Sequence, residues 1–335
     1  MSMKTKLGAR LGGKKLDIQK LMAPAALVIL YVLFSFVGMN FFSIATFQNI
    51  LNASYYIGFM AFGVTFIIIT GGIDLSLGTV MMASALLGAY AFKLGCPLIL
   101  CLFITIFVGV IFGFINGVLI AKLKLPPFIA TLGTQMVSMG LGSIITKVQS
   151  QTWPIATAEV GGWFKKVFIR TEIFGFLPVG ALWLIGFFII AAVILHKTKI
   201  GRYFYAIGSN EEAARLSGIN VDNWKIAAYT LSGLFVGLSG LFFAAAYTTI
   251  TPGIGTGQEM HGITAVIIGG TSMAGGSGTM VGSLIGVFIM SVLKTGLASC
   301  GLQSHWQTFF TGIVVIGAVL LDIYRTKSAS KVKKS

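Results

Sequence analysis

Apolar residues run along this chain in long unbroken stretches, without the strict alternation of a half-buried strand or the spaced stripe of a helix with one wet face. A stretch of about 18 to 25 such residues, rising about 1.5 Å per residue, is long enough to cross the roughly 30 Å of hydrocarbon in a bilayer. The pattern predicts about ten membrane-crossing helices: Leu21–Met39, Thr46–Ile69, Leu75–Ala91, Leu98–Ala121, Phe128–Thr146, Leu177–Leu195, Ile226–Tyr247, Met260–Met273, Thr279–Leu297 and Trp306–Asp322. The eighth is short, and a glycine-rich break separates it from the ninth. The expected fold is therefore an all-α polytopic membrane protein. It has a basic segment at 1–20, a single membrane domain at 21–322 and a basic tail at 323–335.

Composition agrees with the pattern. The 335 residues are 56% hydrophobic and only 10% charged, with a mean hydropathy of +0.92, which excludes an ordinary soluble surface. The net charge of +15 could point to nucleic acid, but the basic residues flank the spans and do not cover one face. Alternating the spans from a cytoplasmic N-terminus places 18 of the 24 Lys and Arg inside. Both termini are therefore expected in the cytoplasm, with lipid as the surrounding partner and nucleic acid excluded. The first span has a basic leader but no convincing small-residue cleavage site, so it reads as an uncleaved anchor. Cys96, Cys101 and Cys300 have no metal-ligand spacing and read as small packing residues.

Two polar segments interrupt the spans. The outer one, 148–176, carries Trp153, Pro154, Trp163 and Phe164 beside Lys165 and Lys166. It reads as an amphipathic element at the interface or as a docking surface. The inner one, 197–224, contains a compact charged stretch. Ser209 followed by Glu212 forms a capping box, Glu211 and Glu212 occupy the first turn, Arg215 lies four residues beyond Glu211, and Gly218 ends the helix. A helix of about eight residues is marginal alone, so it reads as packed on its own membrane domain, seated in a partner's groove, or a solvated connector.

Much of the glycine, 43 residues, lies inside the spans, where small side chains let helices touch. An internal repeat is also present. "ITGGI" at Ile69–Ile73 matches "ITPGI" at Ile250–Ile254 at an offset of 181, and Gly117 pairs with Gly296 and Gly133 with Gly312 at an offset of 179. Five spans separate the equivalents, so the halves would run oppositely through the membrane. Such an inverted five-plus-five repeat lets two antiparallel halves exchange inward-open and outward-open shapes.

Ionisable groups at membrane depth invite a functional reading. Gly71 and Gly72 interrupt one span, and Asp74 with Ser76 can accept backbone N–H groups at the start of the next. Asp74 is either a cap at the cytoplasmic boundary or part of a substrate path. Glu259, near the outer end of the eighth span, either lines the outer mouth, bonds a solute hydroxyl, or caps a helix. Asn116 bridges helices or bonds a hydroxyl. The cluster Gly269, Gly270, Gly275, Gly276 and Gly278 lacks the Lys-Ser/Thr of a Walker sequence, so nucleotide binding is rejected in favour of unwound backbone beside a cavity. His196, His261 and His305 have no metal spacing, and no metal site or nucleophilic set is expected.

The motifs resemble the permeases of bacterial ATP-binding-cassette importers of the ribose, xylose, arabinose and galactose type. The resemblance rests on "TFIIITGGIDLSLGTV", "INGVLIAKLKLPPFIATLGT", "YAIGSNEEAARLSGIN" and "IIGGTSMAGGSGTMVGSLIG", in this order over approximately Phe47 to Asp322. It implies that Ser209, Asn210, Glu211, Glu212, Ala213, Ala214, Arg215 and Gly218 contact a separate ATPase subunit, which binds the ATP and Mg; this chain itself would hold no cofactor. It further implies a second permease chain, an extracytoplasmic sugar-binding protein, and a pathway or gate near Gly71, Gly72, Asp74, Ser76, Asn116, Glu259, Gly269 and Gly270. A monosaccharide is the expected solute, with nucleosides and furanosyl signalling molecules as alternatives. An ion-driven secondary transporter would want several mid-membrane carboxylates where this chain offers at most Asp74 and Glu259. An intramembrane enzyme would want a catalytic set.

Overall fold

A computed structural model describes residues 18–332; the expected basic segment 1–20 lies almost wholly outside the described residues. The helices are α1 (Ile18–Val37), α2 (Ile44–Ile69), α3 (Leu77–Lys93), α4 (Leu98–Ala121), α5 (Pro127–Ile145), α6 (Gly180–Lys197), α7 (Lys199–Ser209), α8 (Glu211–Leu216), α9 (Val221–Tyr247), α10 (Gln258–Ile268), α11 (Met280–Ser299) and α12 (Ser304–Val332). Among the described residues seven helices are long and apolar enough to cross a membrane, joined by the shorter apolar helices Met22–Val37 and Leu77–Lys93. They follow the expected spans in order.

The core is built around α2, which is buried on every side from Ala53 to Ile69. A helix that is apolar all round belongs in an interior. Its aromatic residues interleave with α9, with Phe59 stacked on Phe242 at 4.5 Å between ring centroids and Phe62 edge-on to Phe235. The two helices run antiparallel. Ser239 donates to the Tyr56 carbonyl at 2.6 Å, Gly63 faces Ser232, and Gly72 faces Tyr229.

Glycine sets the spacing between α4 and α9. A Cβ at Gly109 would lie 2.4 Å from the Gly233 carbonyl oxygen, and one at Gly113 would lie 2.4 Å from that of Tyr229. The backbones touch, as membrane helices must when apolar burial against lipid gives no driving force.

The repeat is visible in the elements. α2 and α9 have 26 and 27 residues, and each is followed by a break. The next helix then starts eight residues past the motif's first isoleucine, Ile69 to Leu77 and Ile250 to Gln258. With α2 and α9 antiparallel, the two halves are inverted.

One end of the bundle is basic. There Lys124 pairs with Asp222 at 2.8 Å, joining the end of α4 to the start of α9, and the Met280 N–H donates to His196, joining α11 to α6. At the far end α3 closes with Lys93 bonded to Gln149, and Gln151–Thr152 pairs antiparallel with Thr249–Ile250.

Three expectations change here. The eighth span is only 11 residues, Gln258–Ile268, about 16 Å or half a bilayer, because glycines with positive φ at 253, 255 and 257 hold the preceding chain unwound. Two aromatic residues of the outer segment turn into the bundle and not toward an interface, while Trp163 stays exposed. Trp153 is 1% exposed, donates its indole N–H to the Ala85 carbonyl at 3.0 Å and stacks on buried Phe164, because an indole can satisfy its one polar group inside the bundle. The final helix runs on to Val332, past the expected boundary at 322.

Candidate functional site

The two breaks converge. Past Ile69, Gly71 takes φ +79 and Gly72 lies under the Tyr229 hydroxyl, which donates to the Ile73 carbonyl at 3.0 Å. The chain then enters the bundle through Asp74, which is 2% exposed. One Asp74 oxygen accepts the Ser76 N–H at 2.8 Å and the Ser76 hydroxyl at 2.6 Å. The other accepts the Asn116 amide at 3.3 Å. Asn116 also donates to the Ser76 hydroxyl at 2.9 Å and accepts from Thr134 at 2.7 Å. Next to this chain, Ser138 of α5 donates to Thr79 of α3 at 2.8 Å. A buried carboxylate is tolerable only when so bonded, and the result ties the start of α3 to α4 and α5.

From the far end, the 251–257 segment descends and α10 begins. Glu259 in its first turn takes the Gly257 N–H on both oxygens at 3.0 Å and is 3% exposed; an anion belongs at a helix N-terminus. It lies against α3, where a Cβ at Gly78 would stand 2.5 Å from Glu259 Oε2 and 2.3 Å from the Gly255 carbonyl. Glu259 is therefore inside the bundle and not at an outer mouth. Since α10 is about half a bilayer long and ends at the basic end, the N-termini of α3 and α10 meet near mid-membrane. At its other end Gly269 presses on Gly282 of α11, with a Cβ only 2.2 Å from that carbonyl, and Gly270 takes φ +95.

At the basic end, Asn210 and not Ser209 caps α8. Asn210 is extended (φ −162, ψ 105) and its side chain accepts the Ala213 N–H at 2.9 Å, while Ser209 is the last residue of α7. α8 has six residues, fewer than expected, and α7, hidden in the inner segment, precedes it. Gly218 at φ +82 follows its end. Ion pairs hold α8 down: Lys225–Glu211 at 2.6 Å, Arg215–Glu211 at 3.5 Å and Arg215–Asp222 at 3.3 Å. Partial burial would raise the Glu211 carboxyl, but Lys225 and then Arg215 outweigh it and hold it below the usual carboxylate value.

Ala214 is buried against Ile207 and Val221, which fixes which face looks outward. Glu212 and Ala213 are exposed, and Leu216 is 84% exposed. Leu216 is a large apolar side chain standing exposed on an otherwise charged and small-residue helix. Leu216, Tyr229, Thr134 and Gly208 were not singled out from sequence. Leucine and glycine are too common here to stand out, and the hydroxyl partners lie far apart along the chain.

Comparison with known proteins follows this geometry. A family model described as the permease component of the branched-chain amino acid transport system matches residues 46–319. The ribose import permease protein RbsC of Bacillus subtilis (strain 168) is 40% identical over 312 residues, 93% of this chain and 94% of its own. RbsC of Escherichia coli (strain K12) is 36% identical over 306 residues, 89% and 91% of the two chains. The fructose import permease protein FrcC of Rhizobium meliloti is 34% identical over 319 residues, 92% and 88%. A bundle of membrane-crossing helices in two inverted halves, matched along nearly its whole length by such proteins, belongs to the permease family of ATP-binding-cassette importers, multi-pass proteins of the inner membrane.

Proposed function

We propose that this chain forms the translocation pathway for a monosaccharide or a similar small hydroxylated solute, handed over by an extracytoplasmic binding protein. The solute class rests on the relatives. The family model is described by branched-chain amino acids, but proteins aligned over about nine-tenths of this chain carry the names of ribose and fructose import permeases.

ATP is hydrolysed on a separate ATPase subunit, which carries the nucleotide and Mg. It seats at the basic end, which is cytoplasmic, and receives α8 through Glu212, Ala213 and Leu216. The observation that carries this reading is the outward face of α8, held down on its other side by ion pairs and Ala214 and left uncovered among the described residues. A second permease chain completes the pathway.

The gate is the meeting of α3 and α10. The gap beside it, lined by Thr79, Ser138 and Pro252 among others, is about 10 Å³, room for one water and not a sugar. On this reading the two N-termini part during passage, and the polar chain Asp74–Ser76–Asn116–Thr134 keeps the start of α3 moving with α4 and α5.

Uptake into proteoliposomes tests the proposal. The assembled permease, ATPase and binding protein should import ribose only with ATP and binding protein present, and equally with ionophores added. Uptake that follows an ion gradient and ignores ATP contradicts it.

A further inference from the structure

The end of α7 meets both halves of the repeat backbone to backbone. Gly208 fits so closely that a Cβ there would lie 1.8 Å from the Ile69 carbonyl oxygen, at the end of α2, and 2.5 Å from the Gly276 nitrogen. The Gly276 N–H donates to that same Ile69 oxygen at 2.9 Å.

Gly275 and Gly276 take φ +84 and +70, conformations open to glycine at little cost. A Cβ at Gly275 would stand 2.9 Å from the Gly71 nitrogen and 3.0 Å from the Gly208 oxygen, and one at Gly276 would stand 2.6 Å from Ser209 Oγ. Tyr205 of α7 clamps the loop from the side, donating to the Gly278 carbonyl at 2.7 Å.

Three backbone segments thus interlock: the first break at 69–71, the loop at 275–278 that follows α10, and Gly208–Ser209, directly before the Asn210 cap of α8. Close-packed backbone has no rotamers with which to absorb a displacement. The exposed ion pairs between α8 and α9 are soft by comparison.

We propose that Gly208, with Gly275 and Gly276, is the positioning junction that carries movement of α8 to both halves at once; the inference rests on the reading of α8 as the ATPase contact. From this point the 69–76 segment leads to the start of α3, and the 270–278 loop leads back through α10 to Glu259. Both sides of the Gly78–Glu259 contact are therefore driven from one place.

The test uses the reconstituted complete transporter carrying Gly208→Ala. The variant is expected to retain the ATPase and hydrolyse ATP, while solute imported per ATP falls by about tenfold. An unchanged ratio overturns the junction. So does a loss of uptake that only tracks loss of bound ATPase.

Should Gly208→Ala fail to fold, nitroxide labels on Ser217→Cys and Ser277→Cys report on a chain that keeps Gly208 and has Cys96, Cys101 and Cys300 replaced by Ser. Their separation should stay constant between nucleotide-free and ATP-trapped states, while that from Ser217 to a label at Lys93→Cys changes. A Ser217–Ser277 separation that shifts with nucleotide overturns the junction. Failure of the unmodified chain to hold an ATPase overturns the reading beneath it, and the junction with it.

Discussion

Glu259 of α10 lies directly over Gly78 of α3, so closely that the smallest side chain at position 78 would strike its carboxylate. Gly78→Ala is expected to lower stability by about 1–3 kcal/mol, the usual cost of overpacking, and to cut uptake. The matching change Gly133→Ala in α5, where no atom lies within 4 Å, should do neither. Thermal unfolding in detergent with parallel uptake assays compares the two; equal behaviour would remove the contact from the mechanism.

Asp74 and Asn116 share one polar chain, and each uses the other to satisfy a buried group. Asn116→Ala leaves the second Asp74 oxygen short of its partner, while the Thr134 hydroxyl can still donate to the Ala130 or Thr131 carbonyl. The expected cost is about 1–3 kcal/mol. Asn116→Asp should cost at least as much, since it sets two carboxylates face to face. A melting temperature unchanged in both variants would mean that water satisfies this site.

Ala213 and Ala214 are neighbours with opposite fates. Ala214 is packed under α8 against Ile207 and Val221, so Ala214→Glu buries a charge without a partner and should unfold the α8 region. Ala213→Glu points to solvent and should leave folding intact while weakening ATPase retention. Limited proteolysis at the basic end separates them: Ala214→Glu becomes sensitive and Ala213→Glu does not.

Glu211 gives a pH dependence of definite sign. Its folded carboxyl is held low by Lys225 and Arg215, so its ion pairs stabilise α8 fully above the unfolded carboxylate value of about 4.3. That contribution is lost as pH falls through the lower folded value. Because Glu211 is half exposed, its worth is at most about 1 kcal/mol. Glu211→Gln should remove Glu211's share of the acid dependence, lowering protection of the α8 amides by up to about 1 kcal/mol between pH 6 and 8 and converging with the unmodified chain at low pH, as hydrogen exchange would report.

The spans and the repeat were legible because they rest on long-range regularities. Runs such as Leu98–Ala121 leave no alternative to a membrane helix, and the Ile69 and Ile250 motifs mark the breaks. The charged stretch at 209–218 stood out against an apolar chain.

What the sequence concealed was set by tertiary placement. Ser209 and Asn210 are both good caps, and only the closing of α7 on Gly208 and Ser209 assigns the role to Asn210. Glu259 reads as peripheral when α10 is taken, though short, as a membrane-crossing span. The half-length of α10 follows from an unwound 251–257 segment that must find its partners in α3 and α5, far away in sequence.

The most direct measurement is retention of the ATPase by Leu216→Asp. The change lies on the exposed face of α8, outside the cluster that Ala214 forms with Ile207 and Val221, so the variant should insert and melt as the unmodified chain does. It should nonetheless purify without its ATPase and import nothing. A Leu216→Asp chain that keeps the ATPase and imports solute at the normal rate would contradict the claim that α8 is where force enters.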